Sequence, residues 1–272
     1  MSNNKVLLII GMHRSGTSLT AQWMSKCGLH LGDRLLGSSP GNKFGHVEDM
    51  DFLEFHEELL QANGQDFDVT EVPDFNIHQS FVHRANTMIQ QKSGKYVQWG
   101  WKEPRTTLFM PFWDQLIDNP YYLIVHRPYR EVVDSLLRRE YKTINRRRNI
   151  FARVYFAWYH ENNLDQRANH YLKVWIAYNR AIIQFVKTHT SSNQILLSNG
   201  DLERHSAIVL DRMIDDWGFD LQRITMDVVF KKGHMKKNVK DKYLFQDELV
   251  SEAEAITNEL QQYSALRDHI ES

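Results

Sequence analysis

Short apolar segments alternate along the chain with longer segments of helical periodicity. Residues 6–10 form the first, a continuous run of valine, leucine and isoleucine that ends at Gly11. Further candidate strands occupy residues 97–102, 121–125 and 195–198. Parallel strands that are covered on both faces have an unbroken apolar composition, and helices connect them along the chain. The pattern therefore predicts an α/β fold, a three-layer parallel sheet flanked by helices.

The segments between the strands place apolar residues at steps of three and four, which is the spacing of one helix face. This spacing predicts helices over residues 16–27 and about 51–63, a helical extension over about 140–190, and a carboxyl-terminal amphipathic helix over about 247–270. No internal repeat or low-complexity tract interrupts the pattern. We expect the 272 residues to form a single domain.

Composition narrows the possible functions. Hydrophobic residues make up 42% of the chain and charged residues 25%, as in ordinary globular proteins. A formal net charge of −1 lacks the positive field of a general nucleic-acid binder. The single cysteine, Cys27, excludes an intrachain disulfide and a multi-cysteine zinc site, which fits a reducing compartment. The run at residues 6–10 is too short to span a bilayer, so we expect a cytoplasmic protein without a membrane anchor.

The first strand leads into a loop that nearly matches an ATP-binding P-loop. Residues 11–18 read GMHRSGTS, but Thr17 occupies the position of the lysine that contacts the β and γ phosphates in G-x-x-x-x-G-K-[ST]. A helix that starts near Gly16 points backbone N–H groups at an anion, and the side chains of Arg14 and Ser18 can join them. The loop therefore predicts a P-loop-type sheet that binds a phosphate or sulfate group.

The strand at residues 121–125 ends in a second candidate anion site. Arg127 follows this strand at the carboxyl edge of the sheet, where open α/β sheets bind ligands, and Ser135 lies eight residues further on. The two side chains could bind one more phosphate; alternatively, Arg127 is a salt-bridging residue. None of the predicted strands ends in the aspartate that holds Mg²⁺ in P-loop kinases. The sequence therefore disfavours γ-phosphate transfer.

Together the two stretches resemble the sulfotransferases that use 3′-phosphoadenosine 5′-phosphosulfate (PAPS). In that family a loop of the type [RK]-S-G-T-[TS] binds the 5′-phosphosulfate. A strand followed by R-x-P, with a serine eight residues after the arginine, binds the 3′-phosphate. The matching residues here are Arg14, Ser15, Gly16, Thr17 and Ser18, followed by Arg127, Pro128 and Ser135. The resemblance implies PAPS as co-substrate, metal-independent sulfuryl transfer and a hydroxyl acceptor.

Two further segments resemble the tyrosylprotein and bacterial carbohydrate branches of that family. WGWKEPRTTL, residues 99–108, is similar to their K-D-P element and aligns Lys102 with its lysine. FGHVEDMDFLEFHEELL, residues 44–60, is similar to the segment that carries a glutamate base and aligns Glu48. The resemblance implies that Lys102, helped by Arg14, stabilises charge on the bridging oxygen, and that Glu48 takes the acceptor proton.

Several roles have alternatives. Glu48 could instead cap the helix that follows it or pair with a surface lysine, and His13 or His46 could act as the base. The catalytic histidine of the cytosolic aryl and steroid branch has no counterpart after the aligned lysine. The late R-K-G-x-x-G segment of that branch is echoed only by Lys232 and Gly233, which are candidate ligands of the 3′-phosphate.

The acceptor is expected to be a saccharide or a small alcohol. Trp99, Trp101 and Trp113 flank the lysine element and either stack on a sugar or pack in the core. The basic stretch at residues 138–153 either attracts an acidic glycan or forms a solvated helix face. The short dimerisation signature of the cytosolic branch is not apparent near the carboxyl end.

Two other functions compete with sulfuryl transfer. A P-loop kinase would bind ATP together with Mg²⁺. A non-catalytic nucleotide-binding or nucleic-acid-binding module would use the basic stretches at residues 138–153 and 231–242, and its binding would weaken with salt. Because the net charge of the whole chain is −1, we expect no nucleic-acid partner.

Overall fold

Four parallel strands form one sheet, as predicted. The computed structural model describes residues 4–37, 47–145, 150–151, 154, 158, 162–189, 192–228 and 243–264. The strands are β1 (Lys5–Ile10), β2 (Gln98–Lys102), β3 (Tyr121–His126) and β4 (Gln194–Ser198), in the order β2-β1-β3-β4. All three neighbouring pairs are parallel, so every strand ends at the same edge of the sheet.

Helices connect and cover the strands. They are α1 (Thr17–Lys26), α2 (Met50–Ala62), α3 (Gln79–Lys95), α4 (Met110–Leu116), α5 (Tyr129–Asn145), α6 (Leu164–Thr188), α7 (Asn199–Asp211) and α8 (Asp247–Gln262). A 3-10 helix, Pro104–Phe109, precedes α4. With helices on both faces of the sheet, the three-layer α/β prediction is confirmed.

The two faces of the sheet belong to two apolar cores. Leu7 and Ile9 of β1 pack in a core with residues of α1 and α7, whereas Leu8 and Ile10 pack with residues of α2, α5, α6 and α8. This alternation follows from the two-residue period of a strand. Because both faces are buried, the strands read as nearly continuous apolar runs.

Tryptophan side chains fill the second of these cores. Trp99, Trp101 and Trp113 are fully buried, and the ring of Phe52 stacks on Trp101 at a centroid distance of 4.0 Å. They therefore pack in the core, and the alternative of sugar stacking is wrong. Between two of them, Gly100 allows β1 to approach β2 closely, because a Cβ at this position would lie 2.1 Å from the Leu7 carbonyl oxygen.

Two of the predicted helix boundaries differ from the structure. The carboxyl-terminal helix ends at Gln262, not near residue 270, and Tyr263 is its C-cap. The helical extension is represented by the carboxyl-terminal part of α5 and by α6, a 25-residue helix that packs against α5 and α8. Within the described ranges, no helix combines the length and apolar character that crossing a membrane requires.

Candidate active site

Among the described residues, no side chain caps the first turn of α1, so backbone N–H groups at the end of the loop after β1 are available to an anion. Gly16, at φ 103°, is the N-cap of α1 and provides no side-chain cap for its first turn. Gly11 lies against β3, where a Cβ would come within 2.3 Å of the Val125 carbonyl oxygen. Its N–H donates to Thr107 Oγ1 at 3.1 Å, which fixes the start of the loop. The uncapped amides of α1 therefore face the carboxyl edge of the sheet.

Arg14 connects the two predicted anion sites. Its backbone is in the left-handed region at φ 71°, and its Nε donates to Ser135 Oγ of α5 at 2.9 Å. Arg127 Nη1 donates to the carbonyl oxygen of Arg14 at 3.1 Å. The loop after β1 and the strand end of β3 thus contact each other directly, although 113 positions separate their arginines.

Arg127 is held firmly at the end of β3. Its carbonyl oxygen accepts a hydrogen bond from the Trp175 indole at 2.9 Å, and its Nε donates to Glu131 at 2.8 Å. The salt-bridging alternative for Arg127 therefore describes part of its role. Among the described residues, no partner contacts its Nη2, so this group can still donate to a ligand.

The loop carries unsatisfied polar groups and concentrated positive charge. Ser15 is fully buried, and its Oγ has no hydrogen-bond partner within the described part of the chain. Burial, together with the positive charges of Arg139, Arg127 and Arg138, lowers the pKa of Arg14 to about 10. A buried hydroxyl without a partner and mutually repelling guanidiniums are both stabilised when an anion binds between them. These groups form a candidate site for a phosphate or sulfate group.

A buried ion pair joins the two residues aligned with catalytic positions. Lys102, at the end of β2, is fully buried, and its Nζ lies 2.6 Å from Glu48 Oε1 and 3.2 Å from Ser18 Oγ. Burial lowers the pKa of Lys102, while the charge and hydrogen bond of Glu48 act to raise it. No donor among the described residues contacts Glu48 Oε2, so one carboxylate oxygen is left for a ligand.

Glu48 is positioned by the turn before α2. Its carbonyl oxygen accepts from the Leu36 N–H at 2.7 Å. The N-cap of α2 is Asp49, whose side chain accepts from the Asp51 N–H and also lies 2.6 Å from the buried Nζ of Lys92. Glu48 does not cap α2, because Asp49 does, and it does not pair with a surface lysine, because its partner Lys102 is buried.

A buried network behind Lys102 was not predicted from the sequence. His56 receives a hydrogen bond at Nε2 from the Trp113 indole (2.9 Å), and its Nδ1 lies 2.9 Å from Glu103 Oε2. Glu103 also accepts from Arg105 at 2.6 Å. Since Trp113 can only donate, Nε2 of His56 is the acceptor and Nδ1 carries the proton. The network orients Glu103 and so fixes the chain next to Lys102.

Among the candidate bases His13 and His46 and the candidate donor ligands Lys232 and Gly233, only His13 lies within the described ranges. His13 lies on the loop against Phe67 and Tyr178, and desolvation lowers its pKa to about 4, so the ring is neutral at neutral pH. Lys232, Gly233 and His46 lie outside the described residues. Within the described ranges, no three His, Cys, Asp or Glu side chains are grouped so that they could hold a metal ion.

The fold that carries this site has counterparts among solved structures. No family model and no curated protein matches the sequence. Solved structures do match. Among them are the sulfotransferase domain from the curacin biosynthetic pathway, at 14% identity and a TM-score of 0.50, and the sulfotransferase domain from the Synechococcus PCC 7002 olefin synthase, at 17% identity and a TM-score of 0.51. The chain has a sulfotransferase fold.

These matches extend over nearly the whole molecule. Each covers 93% of this chain, together with 98% of the curacin domain and 94% of the olefin synthase domain. The resemblance found in the sequence is therefore confirmed at the level of the fold. At identities this low the likeness concerns the arrangement of elements, so the activity is argued from the side chains of the site.

Proposed function

We propose that the protein transfers a sulfuryl group from PAPS to a hydroxyl of a saccharide or small alcohol, without a metal ion. The observation that carries this proposal is the direct contact of Arg14 with Ser135 and Arg127. It joins a loop suited to the 5′-phosphosulfate with a strand end suited to the 3′-phosphate. A nucleotide with a single phosphate chain would engage only the first of these sites.

The loop and the strand end would bind the donor. The uncapped N–H groups of α1, the Ser15 hydroxyl and the Arg14 guanidinium surround the position expected for the 5′-phosphosulfate. The free Nη2 of Arg127 and the Ser135 hydroxyl would hold the 3′-phosphate. Bound in this way, PAPS supplies an activated sulfuryl group at the edge where β1 and β2 end.

Lys102 and Glu48 would perform the chemistry. The ammonium of Lys102 already donates to Glu48 and to Ser18, and its third proton is available for the bridging oxygen on which negative charge develops. Glu48 Oε2 would accept the proton of the acceptor hydroxyl. As the Lys102 ammonium turns toward the leaving oxygen, it releases Glu48, and the carboxylate is free to accept the proton of the acceptor hydroxyl.

A kinase activity has less support from the same residues. Thr17 replaces the lysine of an ATP-binding loop, and the strands end in Lys102, His126 and Ser198 rather than in an aspartate suited to Mg²⁺. The residues that follow β3 present a guanidinium where a kinase of this class places a metal carboxylate. These differences favour a donor whose reactive group carries less charge than a γ-phosphate.

Substitution of Arg127 tests the two-phosphate donor. Arg127→Ala is expected to weaken binding of adenosine 3′,5′-bisphosphate by about 1.5–3 kcal/mol, the scale of charge-assisted hydrogen bonds. Binding of 5′-AMP, which lacks the 3′-phosphate, should change little. Isothermal titration calorimetry with both nucleotides measures the difference. Arg130→Gln, which removes a guanidinium that stacks on Tyr129 and Phe245, is the control. Equal losses for the two nucleotides would show that Arg127 is structural.

A further inference from the structure

Two consecutive carboxylates, those of Glu48 and Asp49, are each paired with a buried lysine from a different element. Glu48 Oε1 lies 2.6 Å from Lys102 Nζ, at the end of β2. Asp49 is fully buried, and its Oδ2 lies 2.6 Å from the Nζ of Lys92 on α3. The short segment formed by these two acidic residues is therefore held both by the sheet and by α3.

Lys92 contacts three carboxylates, although only 4% of the residue is exposed. Besides its contact with Asp49, its Nζ lies 3.2 Å from Asp51 Oδ2 and 3.7 Å from Asp33 Oδ2. Burial lowers the pKa of Lys92, but the contacts with Asp49 and Asp51 outweigh burial and raise the pKa above its ordinary value, so the ammonium is charged. Because the desolvation of both charges offsets much of their attraction, a buried ion pair is a weak source of stability, and a role in fixing geometry accounts for it better.

The turn that carries Glu48 is strained and closely packed. Val47 precedes Glu48 with φ 48°, a left-handed conformation that is unfavourable for a β-branched residue. Gly32 lies directly against the Asp49 side chain, where a Cβ would come within 2.7 Å of Asp49 Cβ and Cγ. The Leu36 N–H donates to the Glu48 carbonyl oxygen at 2.7 Å. Contacts from residues outside the turn therefore hold it in this conformation.

We propose that Lys92 is a positioning residue for the sulfuryl transfer: by holding Asp49, it keeps the Glu48 carboxylate in place beside Lys102. This inference rests on the proposed function, in which Glu48 takes the acceptor proton. Lys92 reaches the reaction only through Asp49 and the main chain that Asp49 shares with Glu48. Its loss should therefore change turnover only as long as Glu48 is present, and it should leave donor binding intact.

Turnover of labelled PAPS by single and double variants tests this dependence. Lys92→Met should lower kcat by about 10–100-fold, the scale on which a small misplacement of a catalytic group slows a reaction. In the Glu48→Gln background the same substitution should change kcat by less than about twofold, because the group that it positions is gone. Affinity for adenosine 3′,5′-bisphosphate should stay within about twofold of wild type. Lys95→Met, which removes a lysine of the same helix that also contacts Asp33, is the control and should leave kcat unchanged.

The double variant Lys92→Met/Asp49→Asn separates positioning from stability. Lys92→Met leaves a buried carboxylate without its cation, so its urea midpoint should fall. Asparagine at position 49 removes that charge and can still cap α2, so the midpoint of the double variant should largely recover. Its kcat should nevertheless stay as low as that of Lys92→Met, because the ion pair between α3 and the turn is still missing.

Hydrogen exchange gives a readout that does not depend on turnover. The Leu36 amide, which donates to the Glu48 carbonyl oxygen, should exchange faster in Lys92→Met and in the double variant but not in Lys95→Met. The inference is overturned if exchange at Leu36 is unchanged, if kcat recovers together with stability in the double variant, or if Lys92→Met slows turnover equally with and without Glu48. Failure of the proposed function is distinguishable, because the wild-type protein would then transfer no sulfuryl group from PAPS while exchange at Leu36 still reports on the turn.

Discussion

Glu48→Gln is expected to lower kcat by about 10²–10⁴-fold, the range usual for loss of a general base, without weakening nucleotide binding. Glutamine keeps the shape of the side chain and can still accept a hydrogen bond from Lys102, but its amide does not take a proton from the acceptor. The carboxylate lies at the start of α2 and contacts Lys102 and not the residues assigned to the donor phosphates. Turnover of labelled PAPS and calorimetry with adenosine 3′,5′-bisphosphate give the two readouts.

A matched control separates this effect from the general loss of charge. Glu54→Gln removes one carboxylate from α2, the helix that Glu48 precedes; Glu54 is partly exposed and pairs with Arg34. Its kcat should stay within about twofold of wild type, because exposed ion pairs contribute little. Near wild-type turnover by Glu48→Gln on a verified acceptor would remove Glu48 from the mechanism, and the neutral ring of His13 would be the next base to test.

Lys102→Met should slow turnover by about 10²–10³-fold, as removal of one preorganised donor to a developing negative charge does in other enzymes. Methionine fills a similar volume, so the fully buried position keeps its packing. The substitution also leaves the Glu48 carboxylate without its cation in a buried site. The free energy of unfolding should therefore fall by about 3 kcal/mol, the lower end of the cost of breaking a buried ion pair.

The double variant Lys102→Met/Glu48→Gln tests whether the loss of stability comes from the unpaired carboxylate. Because Nζ and Oε1 are 2.6 Å apart, the two changes are coupled, and the double variant should be more stable than Lys102→Met alone. Lys95→Met, at an exposed lysine on α3, controls for the loss of a positive charge. Strictly additive effects on urea unfolding would contradict the ion pair, and unchanged turnover by Lys102→Met would contradict its role at the bridging oxygen.

Much of the fold is encoded locally and could be read from the sequence. The strands were found because both faces of the sheet are covered, which leaves segments such as Val6–Ile10 without polar residues. Helix α3 was not predicted, although Phe81, Ala85, Met88 and Ile89 follow helical spacing and pack against the core. This stripe is short, and among the 17 residues of the helix only Ala85 and Lys92 are buried. The predicted end of the last helix near residue 270 was too late, since apolar periodicity continues past the C-cap at Tyr263.

The candidate site likewise combines residues that are neighbours in the sequence with residues that are distant in it. The anion-binding loop is one short segment, so the sequence located Arg14 and its neighbours directly. Contacts between distant segments leave no such pattern. Trp175, which holds the Arg127 carbonyl from α6, and His56, which orients Glu103, are buried residues whose partners lie about 50 positions away along the chain. Only the packing of helices onto the sheet brings them together.

The proposed donor is a nucleotide with phosphates at both the 3′ and 5′ positions, bound without a metal ion. Thermal unfolding with saturating adenosine 3′,5′-bisphosphate in EDTA tests it most directly, with ATP plus Mg²⁺ and single-stranded DNA in parallel. At about 100 times the dissociation constant, the bisphosphate should stabilise the protein by about 2.7 kcal/mol, a rise in Tm of about 5 °C or more. Stabilisation by ATP only in the presence of Mg²⁺, with no effect of the bisphosphate, would contradict the account.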